Sequence, residues 1–159
     1  KKVHAYGVEV KANLAVQPAK NWLIDLSGSY SWTPSINEGE KMSPADQSVR
    51  KQLPYVPKYS PSLTGYISWG TWAFLYKWAF YSECFTMSSN DYTLIGDLPR
   101  YFMSNILFEK KLLLKPMDVQ LKFAVNNLLN EDYFSVLSCP MPGINFELFI
   151  GITSKSWKN

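Results

Sequence analysis

Residues 69–84 read WGTWAFLYKWAFYSEC, and within them Trp72, Phe74, Tyr76, Trp78 and Phe80 occupy every second position, with Lys77 between two of them. A period of two is that of a β-strand, whose successive side chains point to opposite faces. One face of this strand therefore carries five aromatics in a row and the other carries the charge. The same alternation extends outward and predicts seven strands, over 6–16, 22–32, 63–69, 72–82, 102–108, 119–125 and 144–152. Of the 35 positions assigned to the first face, 31 are apolar or aromatic and none is charged. The opposite parity holds Glu9, Lys11, Asp25, Lys77, Glu109, Asp118, Lys122 and Glu147. The expected fold class is all-β and antiparallel, with about seven strands, dry on one face and wet on the other.

Composition narrows the setting. A chain of 159 residues makes one domain or a piece of one. Its 18% charged and 16% aromatic residues are low and high, respectively, for a soluble surface. A net charge of +3, with scattered Lys and Arg, gives no nucleic-acid footprint. No run approaches the roughly 18 apolar residues of a transmembrane helix. The opening KKVHAYGVEV is polar and alternating and lacks the apolar core of a signal peptide. Cys84 and Cys139 are too few for a disulfide scaffold, and their strand positions favour two free thiols over a disulfide.

An alternating sheet of this kind fits a soluble sandwich or a lipocalin-like barrel as well as a membrane barrel. Three features favour the membrane. The strands over 6–16, 22–32 and 72–82 run eleven residues each, whereas soluble strands run about five or six and membrane-spanning ones about nine to eleven. The connections alternate: 17–21, 70–71 and 113–117 are tight, whereas 33–59, 86–99 and 128–143 are long, as in membrane barrels with short periplasmic turns and long outer loops. Trp22, Trp69 and Trp72 sit beside tight turns, and Tyr30, Trp32 and Tyr59 beside a long loop, which sorts them into two belts. In this register Lys77 faces a lumen; the other register would set it in lipid at mid-membrane, at a cost of about 2–4 kcal/mol.

Four motifs, YGVEVKANL (6–14), LPYVPKYSPSLTGYI (53–67), VNNLLNEDYFSV (125–136) and PMPGINFEL (140–148), follow in an order that resembles the C-terminal part of TonB-dependent outer-membrane receptors. The closing motif is most similar to receptors of the Bacteroidetes. The resemblance implies a 22-stranded barrel in the outer membrane of a Gram-negative bacterium, of which residues 1–159 form the C-terminal portion, without the plug domain that fills it. An odd strand number cannot close such a barrel. It also implies partners: outer-membrane lipid, the plug and remaining strands, the TonB complex acting through the plug, and a scarce small-molecule or peptide nutrient such as an iron chelate or cobalamin, with a surface lipoprotein as a further partner. Two departures stand out. Ile144 occupies a position where the family often has Arg, and Trp157 lies off the parity of a strand-terminal aromatic. A porin-like or structural barrel is the first alternative, and a soluble lipocalin-like ligand binder the second.

No enzymatic chemistry is expected, nor any cofactor or metal. His4 is the only histidine and has no carboxylate or thiol cluster beside it in sequence. GSYS (28–31) lacks the spacing of a nucleophile elbow, and NEGE (37–40) lacks that of a calcium loop and reads as solvated. Ligand-binding candidates are Arg50, Lys51, Tyr55, Asp91, Tyr92 and Arg100 in the outer loops, where a rigid scaffold usually displays its binding residues. Basic loop residues also suit the anionic lipopolysaccharide outside. Lys11, Asp25, Lys77, Glu109, Asp118, Lys122 and Glu147 face the lumen, where contact with plug or ligand competes with cross-strand pairing and hydration.

Overall fold

The computed structural model describes residues 2–93 and 95–154. Its strands are β1 (Val3–Ala5), β2 (Val8–Val16), β3 (Trp22–Trp32), β4 (Ser35–Asn37), β5 (Ser62–Trp69), β6 (Trp72–Tyr81), β7 (Cys84–Phe85), β8 (Asp97–Leu98), β9 (Tyr101–Leu113), β10 (Met117–Asn126), β11 (Phe134–Val136), β12 (Cys139–Pro140) and β13 (Asn145–Ser154). The long strands form one seven-stranded antiparallel meander, β13-β10-β9-β6-β5-β3-β2. The fold class is the expected one. Successive long strands join alternately by a tight turn and a long loop, so all the loops lie at one end of the sheet. Gly70, at φ 58°, supplies the left-handed residue of the turn between Trp69 and Trp72.

Directly opposed residues share a face, so the register tests the alternation. Gly65 and Ile106 flank Tyr76, Ile67 and Phe108 flank Phe74, and Phe108 and Leu148 flank Phe123. The apolar parity thus runs unbroken across all seven strands. Val8, Leu14, Trp72, Phe146, Leu148 and Ile152 on it are each more than half exposed. Among the described residues the buried apolar ones are few, Phe85, Leu98 and Val125, and none forms a second layer over the sheet. A soluble fold buries its apolar face against another element; this one leaves it open.

Several boundaries differ from expectation. Tyr6 lies outside the sheet: its N–H donates to Pro34 O, and Gly7 beside it comes so close to the Trp32 carbonyl oxygen that a Cβ would not fit. Ser82 leaves the strand of Trp72 to cap the loop, its Oγ accepting from the Lys58 and Tyr59 N–H groups. Ile144 precedes β13, its N–H donating to Asn130 Oδ1. The 102–108 strand extends to Leu113, which puts Lys110 opposite Trp72 on the apolar face. That face therefore carries one charge among the described residues. The long loops contain the pairs β7–β8 and β11–β12, and β4 in the first of them pairs with β1 from the segment before β2. Asn37 of NEGE belongs to β4, its Nδ2 donating to Ser48 O and Oγ, so this segment is folded rather than simply solvated. Trp157 lies outside the described residues.

Candidate ligand-binding surface in the loop layer

The loop layer is built on side-chain amides. Gln52 is buried; its Oε1 accepts from the Ser35 N–H, and its Nε2 donates to Val56 O. Its backbone N–H donates to Asn90 Oδ1 at 2.7 Å, and Asn90 Nδ2 donates back to Gln52 O at 2.9 Å. Asn90 holds φ 56°, which Asn tolerates better than most residues. The loop after β4 and the loop after β7 are joined here.

Against this clamp lies a cavity of about 470 Å³ whose walls include Arg50, Lys51, Lys58, Tyr6, Trp32, Tyr59, Phe85 and Tyr92. Arg50 is set by its own backbone, at φ 63° with its N–H donating to Asn37 O. Three cations among aromatic rings suit a flat anionic ligand, since the cations attract charge and the rings stack. Trp32 and Tyr59 were expected only as belt residues, yet both line this cavity. Tyr92, 72% exposed and edge-on to Phe85 at 5.0 Å, also borders a second cavity of about 730 Å³ with Thr93, Asp97, Leu98, Pro99, Phe134, Leu137 and Ser138.

Of the expected loop residues, the structure brings together Arg50, Lys51 and Tyr92. Tyr55 instead donates its N–H to Phe85 O, Asp91 accepts from Ser89 Oγ, and Arg100 is exposed and lines neither cavity. Sequence reasoning did not find Lys58, Gln52 or Asn90 as site residues; Gln52 and Asn90 act through bonds 38 residues apart in sequence.

On the polar face the register aligns Lys11, Asp25, Lys77, Glu109, Asp118, Lys122 and Glu147. Glu109 receives a hydrogen bond from Gln120 Nε2 at 2.7 Å and lies within 3.7 Å of Lys122 Nζ. Glu147 accepts from Asn126 Nδ2 at 2.8 Å, and Lys11 pairs with Glu9 at 3.0 Å. Cross-strand and neighbour pairing thus engages several of them. Lys77, opposite Thr64 and Asn105, is exposed. At the loop end of the same face Tyr81, Tyr101 and Tyr133 stack in series, at 5.0 and 4.6 Å.

His4 does meet a carboxylate, Glu38 at 3.2 Å, contributed from 34 residues away. No cluster of three or more metal-ligating side chains occurs among the described residues. Cys84 and Cys139 are free thiols, and burial, then the nearby Asp97 and Glu83 charges, push the Cys84 thiol up.

No family model and no curated protein matches the chain. Solved structures do. The siderophore receptor PiuA from Acinetobacter baumannii is similar with a TM-score of 0.66 at 17% identity, over 92% of this chain. The seven-stranded sheet has the fold of part of that receptor's barrel. The chain spans about a fifth of the length of that receptor, 21% of it. At this identity the likeness establishes the fold alone, that of part of a receptor barrel, and no family or bacterial group.

Proposed function

We propose that residues 1–159 are the C-terminal barrel portion of an outer-membrane receptor that imports a scarce nutrient, an iron chelate, a cobalamin or a similar molecule, with energy delivered through a plug by TonB. The observation that carries this reading is one uncovered apolar face, with Lys110 its one charge among the described residues, across seven strands whose backbone follows part of a siderophore-receptor barrel. The outermost strands β2 and β13 each pair on one side only within the described sheet, which supports continuation into further strands of a larger, 22-stranded barrel. Arg50, Lys51 and Tyr92 are the proposed nutrient contacts, and the polar-face charges the proposed contacts of the plug. A surface lipoprotein over the loops, and a Bacteroidetes source, go with the closing PMPGINFEL motif.

One observation favours a second occupant for the same cations. Trp32 is on the apolar face by register and Tyr59 bridges to it, so a cavity between them and Arg50 also suits the anionic headgroup of lipopolysaccharide at the rim.

The test is genetic. The complete protein containing this chain should be found in the outer-membrane fraction, and its disruption should abolish growth on one member of a panel of iron chelates, cobalamin and small peptides. A strain lacking TonB should share that defect. Growth unaffected in both strains, together with ion conductance of the purified protein in planar bilayers, overturns the receptor in favour of a porin-like barrel. A protein that stays monodisperse without detergent overturns both.

A further inference from the structure

The charge on the apolar face calls for an anion. Lys110 stands opposite Trp72 on one side and Leu121 on the other, in a row that continues through Trp69 to Trp22. Its Nζ lies 3.9 Å from the Trp72 ring centroid and donates to Thr71 Oγ1 at 2.8 Å. The ammonium is thus held on the face, at the tight-turn end, rather than trailing into solvent. An ammonium has three protons, and Thr71 takes one. No carboxylate among the described residues pairs with it, and the apolar parity of the neighbouring strands supplies no Asp or Glu.

Beside it is a nearly wholly apolar groove of about 400 Å³, walled by Trp22, Ile67, Trp69, Trp72, Phe74 and Phe108. Trp22 and Trp69 stack at 5.4 Å along its floor. Its walls come from β3, β5, β6 and β9, each flanked by paired strands on both sides, so additional barrel strands at the sheet edges leave it open. A fixed cation at headgroup height next to an apolar trough matches a molecule with an anionic head and a hydrocarbon tail.

We propose that Lys110 and this tryptophan groove bind an anionic glycerophospholipid, its phosphate on the ammonium and one acyl chain along the rings. The proposal rests on the lipid-facing reading of the apolar face, and the experiment separates the two. The complete receptor is placed in nanodiscs containing increasing mole fractions of brominated phosphatidylglycerol or brominated phosphatidylcholine with the same acyl chains. The emission of the cluster is read as the difference between the receptor and its Trp69→Phe/Trp72→Phe variant. Phosphatidylglycerol should half-quench the cluster at an about fivefold lower mole fraction than phosphatidylcholine, the preference that one lysine near an anionic lipid supplies. Lys110→Gln should abolish that preference while leaving quenching by phosphatidylcholine unchanged, which also shows that the variant is folded; Lys110→Arg should keep it. Equal half-quenching by the two lipids in the wild type, or a preference that survives Lys110→Gln, overturns the lipid site and leaves the lipid-facing assignment standing. Absence of quenching by either lipid overturns the lipid-facing assignment, and this site with it.

Discussion

Asn127 and Glu131 clasp each other: Asn127 Nδ2 donates to Glu131 O at 2.9 Å and the Glu131 N–H donates to Asn127 Oδ1 at 2.8 Å. Asn127 is 1% exposed, its Nδ2 also reaches Pro142 O, and its own N–H donates to Asn105 Oδ1. Three residues on, Asn130 Oδ1 accepts from the Ile144 N–H and would collide with any Cβ at Gly143. The NNLLNE run and the PGIN run thus form one latch that sets where β13 begins. Asn127 and Asn130 both sit at φ 51°, a conformation Asn adopts more readily than most residues. Asn127→Ala strands buried backbone groups and is expected to cost about 1–3 kcal/mol. In the complete protein the midpoint of urea unfolding should fall; an unchanged midpoint would mean that water replaces the latch without loss.

The clamp between Gln52 and Asn90 belongs to the loop layer alone. Asn90→Ala removes both of its bonds and the residue suited to φ 56°. The expected outcome is faster hydrogen exchange at Gln52 and weaker binding of the proposed nutrient, with the unfolding midpoint of the sheet barely moved. Loss of barrel stability equal to that of Asn127→Ala would show that loop layer and sheet unfold as one unit.

These two clasps also mark where the sequence stops being legible. The sheet could be read because alternation is local: Trp72 to Phe80 declare their face without reference to any other strand. Lys110 was lost because Glu109, Lys110 and Lys111 are three charges in succession, which breaks the alternation and hides the strand beneath it until the pairing with Trp72 restores the parity. Parity puts Tyr6 in a strand, whereas its N–H bonds to Pro34 O and Gly7 lies against the Trp32 carbonyl with no room for a Cβ, neither of which has a signature in the alternation. Arg50, Lys51 and Tyr92 were recognisable as loop chemistry, but their convergence with Lys58 and Trp32 depends on Gln52 meeting Asn90, a contact with no local signature. The VNNLLNEDYF motif was visible only as a likeness; the latch gives its asparagines a physical task.

Acid titration probes the loop at 41–48. The Asp46 carboxyl is held down to about 2 by its hydrogen bond with Ser48, with the Met42 and Ser48 backbone N–H groups contributing. A carboxyl pKa depressed in the folded state stabilises the turn fully above its ordinary value near 3.8 and loses that contribution as pH falls through about 2. The Met42 and Ser48 amide resonances should therefore shift with a midpoint near 2 and not move in Asp46→Asn. A midpoint near 3.8 would show that the turn does not hold the carboxylate.

The two thiols should separate kinetically. Cys139 is exposed on β12, whereas Cys84 is half-buried on β7 with its thiol pushed up by burial and by Asp97 and Glu83. The thiolate is the reactive form, so iodoacetamide at pH 8 should modify Cys139 well before Cys84. Mass spectrometry of single-cysteine variants reads the order, and equal rates would mean that the β7–β8 hairpin opens on the timescale of labelling.

The facing of the whole sheet rests on one pair of neighbours. Tyr76 lies between Gly65 and Ile106 on the apolar face, and Lys77 between Thr64 and Asn105 on the polar one. Arginine at position 76 is expected to cost about 2–4 kcal/mol in a bilayer-embedded barrel, because the guanidinium enters hydrocarbon. Lys77→Arg should be close to neutral. A soluble barrel with its apolar face turned inward would also suffer at 76, so stability by itself does not choose between the two. Accessibility does. Spin labels at 76 and at 77 in the complete protein, relaxed by oxygen in the bilayer and by a water-soluble nickel chelate, should respond oppositely: 76 to oxygen, 77 to nickel. Equal responses, or the reverse order, would remove the register on which the two faces, the aromatic belts and the Lys110 groove all depend.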